Sequence, residues 1–403
     1  MNDSFMKIKP TVGLFADDNV GWTAGALYLR GIAQTLRQLP EPDRPNLPLL
    51  ISRNRNRRKG NALDRTFDKI ILFDRHTKNP WQALLAAVSQ TVDGFRKPVP
   101  LAEVVLQNSI SCLLPCQTSL GQSFPVPWIG WIPDFQHTRC PEYFSEREIR
   151  VRNTRFQTLI DDATLTLVSS HDARNDLLTS FNADPEKICV YSFSTHIEPE
   201  WFLPDPAQFT KQLKLPEKYL MFPSQFWKHK NHLNLFMAIK QLKRQYSDIA
   251  LVLTGSESDF RHPKYAGRIK SELTSPELRD HVFWLGLLAR HEQIQVMRRA
   301  AAIIQPSYFE GWSMLVEDCR ALGKQVFVSD IPVHREQSPT DATFFNPADI
   351  QHLSSVIADR WPELRPGPDR SRERSAQQQL AKRHAANATW LKEIINRAIH
   401  LRQ

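Results

Sequence analysis

The sequence predicts an α/β protein built from two doubly wound domains that face each other across a cleft. Three observations carry this. Short apolar runs alternate with helix-period segments along nearly the whole chain. The alternation breaks at a stretch over 192–206 that holds Pro199, Pro204 and Pro206, and then restarts. At 403 residues, 41% hydrophobic and 24% charged, the chain is long enough for two full cores. The predicted units are 1–198, 199–385 and a terminal helix over 386–403 that packs back on the first unit.

In the first unit, 11–16 reads as a buried strand and 17–25 as a polar, glycine-containing loop. A helix is predicted over 26–39, with Leu27, Ile32, Leu36 and Leu39 as its apolar positions. Further strands are expected at 49–51, 69–73, 104–107, 128–132, 164–169 and 188–190, and helices over 81–88 and 141–163. Ser169-Ser170-His171-Asp172 reads as a capping box that opens a helix through Leu178.

In the second unit, strands at 219–222, 249–254, 282–285, 301–304 and 325–329 alternate with helices over 232–242, 265–273, 291–300 and 314–322. Such alternation argues for a largely parallel sheet. Pro366-Gly367-Pro368 marks a loop, after which Leu391, Ile394, Ile395, Ala398 and Ile399 recur at helical spacing.

The most informative stretch is Pro306-Ser307-Tyr308-Phe309-Glu310-Gly311-Trp312-Ser313-Met314-Leu315-Val316-Glu317-Asp318. It joins a buried strand to a helix through a glycine bend. Free N–H groups at such a helix start, here around Ser313, Met314, Leu315 and Val316, can hold a diphosphate. Glu310 before the bend is suited to sugar hydroxyls, and Asp318 two turns into the helix to a ribose. Taken alone Glu310 reads as a plain helix cap, and together with Gly311, Asp318 and Lys230 the sugar role is the better reading. A second basic loop, Phe226-Trp227-Lys228-His229-Lys230-Asn231-His232, follows the first strand of the second unit and precedes a helix. It reads as a phosphate-neutralising loop or as an exposed basic turn.

These segments resemble the signature of family 4 retaining glycosyltransferases, which have the GT-B architecture of two Rossmann-like domains. Phe309, Glu310 and Gly311 match the family pattern, Trp312 and Ser313 stand for its Phe-Gly, and Asp318 stands for the second acidic residue. Gly323 and the run from Val326 to Glu336 continue the likeness. The resemblance implies a nucleotide-diphosphate sugar as donor, retention of anomeric configuration, and no metal or other cofactor. It implies catalytic roles for Glu310 and Lys230. Donor contacts are implied at Gln225, Lys228, Gly311, Trp312, Ser313, Met314, Leu315, Val316 and Asp318.

Two positions depart from the family pattern. Gln225 stands where the family has an Arg, and Lys228 is a candidate for the missing charge. Pro133 stands where the family has a His beside Asp134, and His137 is the candidate replacement. Gly21-Trp22-Thr23-Ala24-Gly25 resembles the family's glycine loop, which puts Trp22 and Gly25 with Asp134 on the acceptor or phosphate side. A plain turn is an equal reading of that loop. The departures motivate an alternative, a non-catalytic basic binding protein. The implied acceptor is a glycan, lipid-linked or protein molecule, as in cell-surface polysaccharide biosynthesis.

No run approaches the ~20 apolar residues that span a bilayer. The first residues lack a signal-like apolar segment, so a cytoplasmic location is expected. The five cysteines, Cys112, Cys116, Cys140, Cys189 and Cys319, lack metal-ligand or disulfide spacing and read as buried thiols. The net charge is +9. Arg53, Arg55, Arg57, Arg58 and Lys59 form one basic cluster. Arg365, Arg370, Arg372, Arg374, Lys382 and Arg383 populate another. Both read either as solvated faces or as contacts to an anionic substrate or membrane surface. The first cluster lacks interleaved aromatics, and no nucleic-acid partner is expected.

Overall fold

The computed structural model describes residues 9–16, 23–53, 66–74, 99–337 and 339–402. The helix expected over 81–88, Trp22, and all of the first basic cluster except Arg53 lie outside the described residues.

The first sheet contains β1 (Val12–Phe15), β2 (Leu49–Ser52), β3 (Ile70–Phe73), β4 (Cys112–Cys116), β5 (Trp128–Ile132), β6 (Leu165–Val168) and β7 (Ile188–Val190). Its order is β3-β2-β1-β4-β5-β6-β7, and neighbours run parallel. Side chains alternate between faces, as a pleated strand requires. Val12, Leu14, Leu49, Ile51, Ile129 and Trp131 join one core, while Phe15, Leu50, Trp128 and Ile132 join the core on the other face. Both faces are covered, so these strands are continuous apolar runs.

The second sheet contains β8 (Leu220–Pro223), β9 (Leu251–Thr254), β10 (Val282–Trp284), β11 (Ala302–Gln305), β12 (Val326–Ser329) and β13 (Ala342–Phe345), in the order β10-β9-β8-β11-β12-β13. It too is parallel throughout. In each sheet the strand order reverses once, between β1 and β4 and between β8 and β11. The crevice beyond the strand ends at such a reversal is where ligands bind in this class of fold.

One expected strand is wrong. Residues 104–107 lie in the helix Leu101–Gln107, and the strand that enters the sheet centre is β4. The β-branched pair Val104 and Val105 suggested a strand, but both are buried on the inner side of that helix. Pro115 hid β4, because a proline argues against a central strand. It is tolerated where the pairing register to β5 shifts between Leu113 and Cys116.

Ser170 caps the helix His171–Ser180 by accepting from the Ala173 N–H at 3.0 Å. The third helical residue is Ala173, so the expected reciprocal half of a capping box is missing. A complete box instead opens Glu146–Asp162, where Ser145 and Glu148 exchange bonds. That cap starts the helix later than the predicted 141.

The last helix runs from Arg370 to His400 and is continuous across the predicted start at 386. Its distal half buries Ala388, Leu391, Ile394, Ile395 and Ala398 in the first-domain core. Its proximal half packs on the helix Met314–Leu322 of the second domain. There Arg298 and Glu373, both nearly inaccessible, pair at 2.6 Å. Much of the second basic cluster is spent on such pairs: Arg370 with Glu373, Arg372 with Asp341, and Arg383 with Glu317.

Candidate functional site

The two reversal points face each other, and a cleft of about 530 Å³ lies between them. That volume is in the range of small-molecule sites. The 224–231 loop leaves the end of β8 and the 306–313 bend leaves the end of β11, so adjacent strands deliver both to one place. Asn231 fixes the first loop. It adopts a left-handed backbone with φ 64°, which Asn tolerates well. Its side-chain amide donates to the Pro306 and Pro347 carbonyls at 3.0 and 2.8 Å.

This scaffold brings Lys230 Nζ to 2.6 Å from Glu310 Oε1. The same oxygen accepts from Gln305 Nε2 at 2.7 Å. Gln305 is the last residue of β11, a polar side chain ending an apolar run. No hydrogen bond to Glu310 Oε2 comes from the described residues. His334 is fully buried near this pair; its Nδ1 bonds the Ser329 carbonyl at 2.9 Å. Burial holds its pKa below the ordinary value despite the neighbouring Glu310 carboxylate.

Gly311 makes the closest approach between domains. A Cβ at this position would lie 2.7 Å from Asp134 Cβ and would also strike the Pro133 carbonyl. Ser170 of the first domain donates to the Gly311 carbonyl at 2.9 Å. Trp312 Nε1 donates to the Phe193 carbonyl at 2.9 Å, tying the bend to the interdomain linker. Ser313 caps the helix Met314–Leu322, its hydroxyl accepting from the Val316 N–H at 3.3 Å. The N–H groups of Met314 and Leu315 have no intrahelical acceptor at this helix start, and both residues line the cleft.

The cleft wall also includes Gln225 and Asp134. Trp227 Nε1 donates to Gln225 Oε1, and Asp134 accepts from the Gln136 N–H at 3.0 Å. Other expected site residues lie elsewhere. Lys228 Nζ sits over the Tyr143 ring at 4.8 Å and is not on the cleft wall. Gly25 is the third residue of the helix Thr23–Leu36, and its neighbour Ala24 lines the cleft instead. Val316 is buried beneath the helix start.

His137 turns away from the cleft. Its ring is 1% exposed, packs edge-on to Phe144 and Phe156, and shares a 2.9 Å bond with Asn153. Burial lowers its pKa. The residue before it, Gln136, faces the cleft, so the geometry gives no support to His137 as a group touching substrate.

Asp318 is buried, and Arg290 takes both its oxygens, Oδ2 at 2.7 Å. Arg290 also donates to Thr195 in the linker at 3.2 Å. Glu317 points another way, to Arg320 at 2.6 Å, Gln337 at 3.0 Å and Arg383 of the last helix at 3.2 Å. Of the two adjacent acids, Glu317 joins elements together, and Asp318 stands beside the β10 loop.

Sequence reasoning missed Gln305, Arg261 and the aromatic wall of the first domain. That wall stacks Tyr28 on Trp131 with centroids 3.8 Å apart and sets Phe193 edge-on. Gln305 ends β11 and Arg261 lies in the loop after β9, which was the available signal. Arg152 and Arg155, whose helix face reads from the sequence either as solvated or as touching an anionic acceptor, line the cleft.

Residues 205–361 match the family described as Glycosyl transferases group 1. The match to group 1 covers the second domain, including both loops that form the Lys230–Glu310 pair. A curated relative is the O-antigen chain mannosyltransferase RfbU of Salmonella typhimurium, 27% identical over 55% of this chain. The chain spans 58% of that relative's length. Among solved structures, Anabaena Alr3699/HepE in complex with UDP and glucose superposes with TM-score 0.63 at 14% identity, covering 96% of this chain and 98% of that one. Sucrose-phosphate synthase from Thermosynechococcus elongatus gives TM-score 0.64 at 16% identity, over 96% and 97%. These likenesses establish the fold as GT-B.

Proposed function

We propose that this protein is a glycosyltransferase that moves a sugar from a nucleotide-diphosphate donor to a glycan acceptor in polysaccharide biosynthesis. The observation that carries the reading is the Lys230–Glu310 pair, at 2.6 Å, beside the open start of the helix Met314–Leu322. Breaking a sugar–diphosphate bond builds negative charge on the leaving group. Lys230 and the Met314 and Leu315 N–H groups meet that charge where it develops. Glu310, relieved of Lys230 as the phosphates arrive, orients the sugar hydroxyls. The match to group 1 and the mannosyltransferase relative support the same reading.

Finer features of the proposal are retention of configuration by front-face attack, transfer without a metal, and a ribose contact at Asp318. The acceptor is lipid-linked, free glycan or protein. No described helix is long and apolar enough to cross a membrane; peripheral contact with an anionic membrane at a cytoplasmic face is part of the proposal. A thermal-shift panel of nucleotide-sugars, followed by transfer assays with the stabilising donor, tests the core claim. A donor that stabilises the protein and is consumed supports it. Absence of stabilisation and consumption across the panel overturns it in favour of a non-catalytic binder. Product NMR reads the anomeric configuration, and transfer unchanged by EDTA supports metal independence.

A further inference from the structure

We propose that Arg261, Arg152 and Gln136 form a second anion subsite in the cleft, apart from the Lys230–Glu310 centre, that receives a phosphate or diphosphate group of the acceptor. The proposal deepens the transferase reading and rests on it only for the word acceptor.

Arg261 comes from the loop after β9 and reaches across to the first domain. Its guanidinium lies 4.4 Å from the Trp227 ring centroid of its own domain and 4.6 Å from that of Phe144 in the first. Arg152 approaches Phe144 as well, at 4.8 Å. Two guanidinium groups thus gather on one ring. Like charges held together cost free energy unless an anion joins them.

No carboxylate among the described residues forms an ion pair with either group. Asp259 is nearest in sequence, but its oxygens accept from the backbone N–H groups of Lys228, Arg261 and His262. Asp134 accepts from the Gln136 N–H. Arg261 makes one long hydrogen bond, 3.4 Å to Gln136 Oε1. Its Nε and the Gln136 Nε2 are buried donors without a partner among the described residues. Buried donors left unpaired are costly, and an incoming anion relieves that cost. Burial and the Arg152 charge depress the Arg261 pKa against the opposing pull of Asp259, Asp134 and Glu148.

All three side chains line the cleft. Planar guanidinium forks and an amide N–H are the donor set that suits phosphate oxygens. Arg152 and Gln136 belong to the domain opposite the donor loops, so the anion they receive is carried by the other substrate. An acceptor built on a phosphate or diphosphate linkage has the required chemistry.

The test titrates inorganic pyrophosphate into protein already saturated with UDP or GDP. Pyrophosphate should still bind, and Arg261→Gln or Arg152→Gln should each weaken it about tenfold while nucleotide affinity stays within about twofold. Arg152 lies on a partly exposed helix face, so R152Q remains informative if R261Q fails to fold. Failure of pyrophosphate to bind the nucleotide-saturated protein overturns the proposal. So does a tenfold loss of nucleotide affinity in R261Q and R152Q, which would assign both cations to the donor. If neither nucleotide binds the unaltered protein, the transferase reading suffers instead. Arginine-dependent pyrophosphate binding would then still support the subsite.

Discussion

The two domains share one winding, yet their cleft-facing surfaces differ. In the second domain the loops at the reversal carry charges that are already matched, Lys230 against Glu310. In the first domain the corresponding wall is aromatic and cationic, with Tyr28 stacked on Trp131 and with Arg152 also lining the cleft. The shared reversal of strand order therefore fixes where a ligand can sit, and the loops decide what chemistry meets it. A matched pair can exchange partners as a diphosphate enters and leaves. An unmatched cluster waits for an anion brought from outside.

The comparison requires both surfaces to be held in register, and the last helix does much of that. Glu373→Ala should strand the inaccessible Arg298 guanidinium and cost about 3–5 kcal/mol of stability, measured by denaturant unfolding. A loss below about 1 kcal/mol would show that the last helix is not the brace described. Lys230→Ala should lower the transfer rate about 10²–10³-fold, the scale of losing one donor to a developing charge. Near-normal turnover in that variant would remove the contrast between matched and unmatched walls.

A third test addresses the linker. His196 stacks on His384 of the last helix with centroids 4.0 Å apart, and burial, His384 and Arg30 push its pKa down to about 3. A histidine kept neutral when folded binds its proton only in the unfolded chain between about pH 6.5 and 3. Its contribution is therefore complete above pH 6.5 and is lost as pH falls through that window. By pH 5 the loss should be at most about 2 kcal/mol, read as a falling Tm, and His196→Gln should flatten the dependence. An unchanged slope in that variant would place the acid sensitivity elsewhere.

The smallest expected effect lies at another direct contact between the domains. Glu336 of the second domain accepts from the His171 and Asp172 N–H groups at 2.8 and 3.0 Å, capping a first-domain helix from across the cleft. Glu336→Ala should cost about 1 kcal/mol of closure, the usual worth of a helix cap. A larger radius of gyration by small-angle scattering and a raised donor KM would report it. Equal scattering profiles would show that closure rests on the other interdomain contacts, such as Ser170 with Gly311.

Much of the fold was legible from sequence because its strands are buried on both faces and its helices have clear periods. The second-domain helices at 232–242 and 314–322 fall where the periodicity put them. Strand β4 was not legible, since Pro115 contradicts a central strand unless the local register shift is known. Within the site, Glu310, Gly311 and the helix start were readable as one local motif. Lys230 was readable as a basic residue at a strand end whose loop meets the Glu310 bend on one side of the cleft, and only the structure gave the 2.6 Å contact across 80 positions.

The sequence by itself therefore determined the α/β class, the two-domain division, the glycine bend and the charged strand ends, all set by chemistry within a few residues. Only the tertiary structure decided that Arg261 meets Arg152 and Gln136, that His137 turns inward, that Arg290 takes Asp318, and that Glu336 caps a helix of the other domain. Each of these depends on side chains brought together across domains or between distant loops. Their contact free energies come from burial and charge pairing that no local pattern encodes.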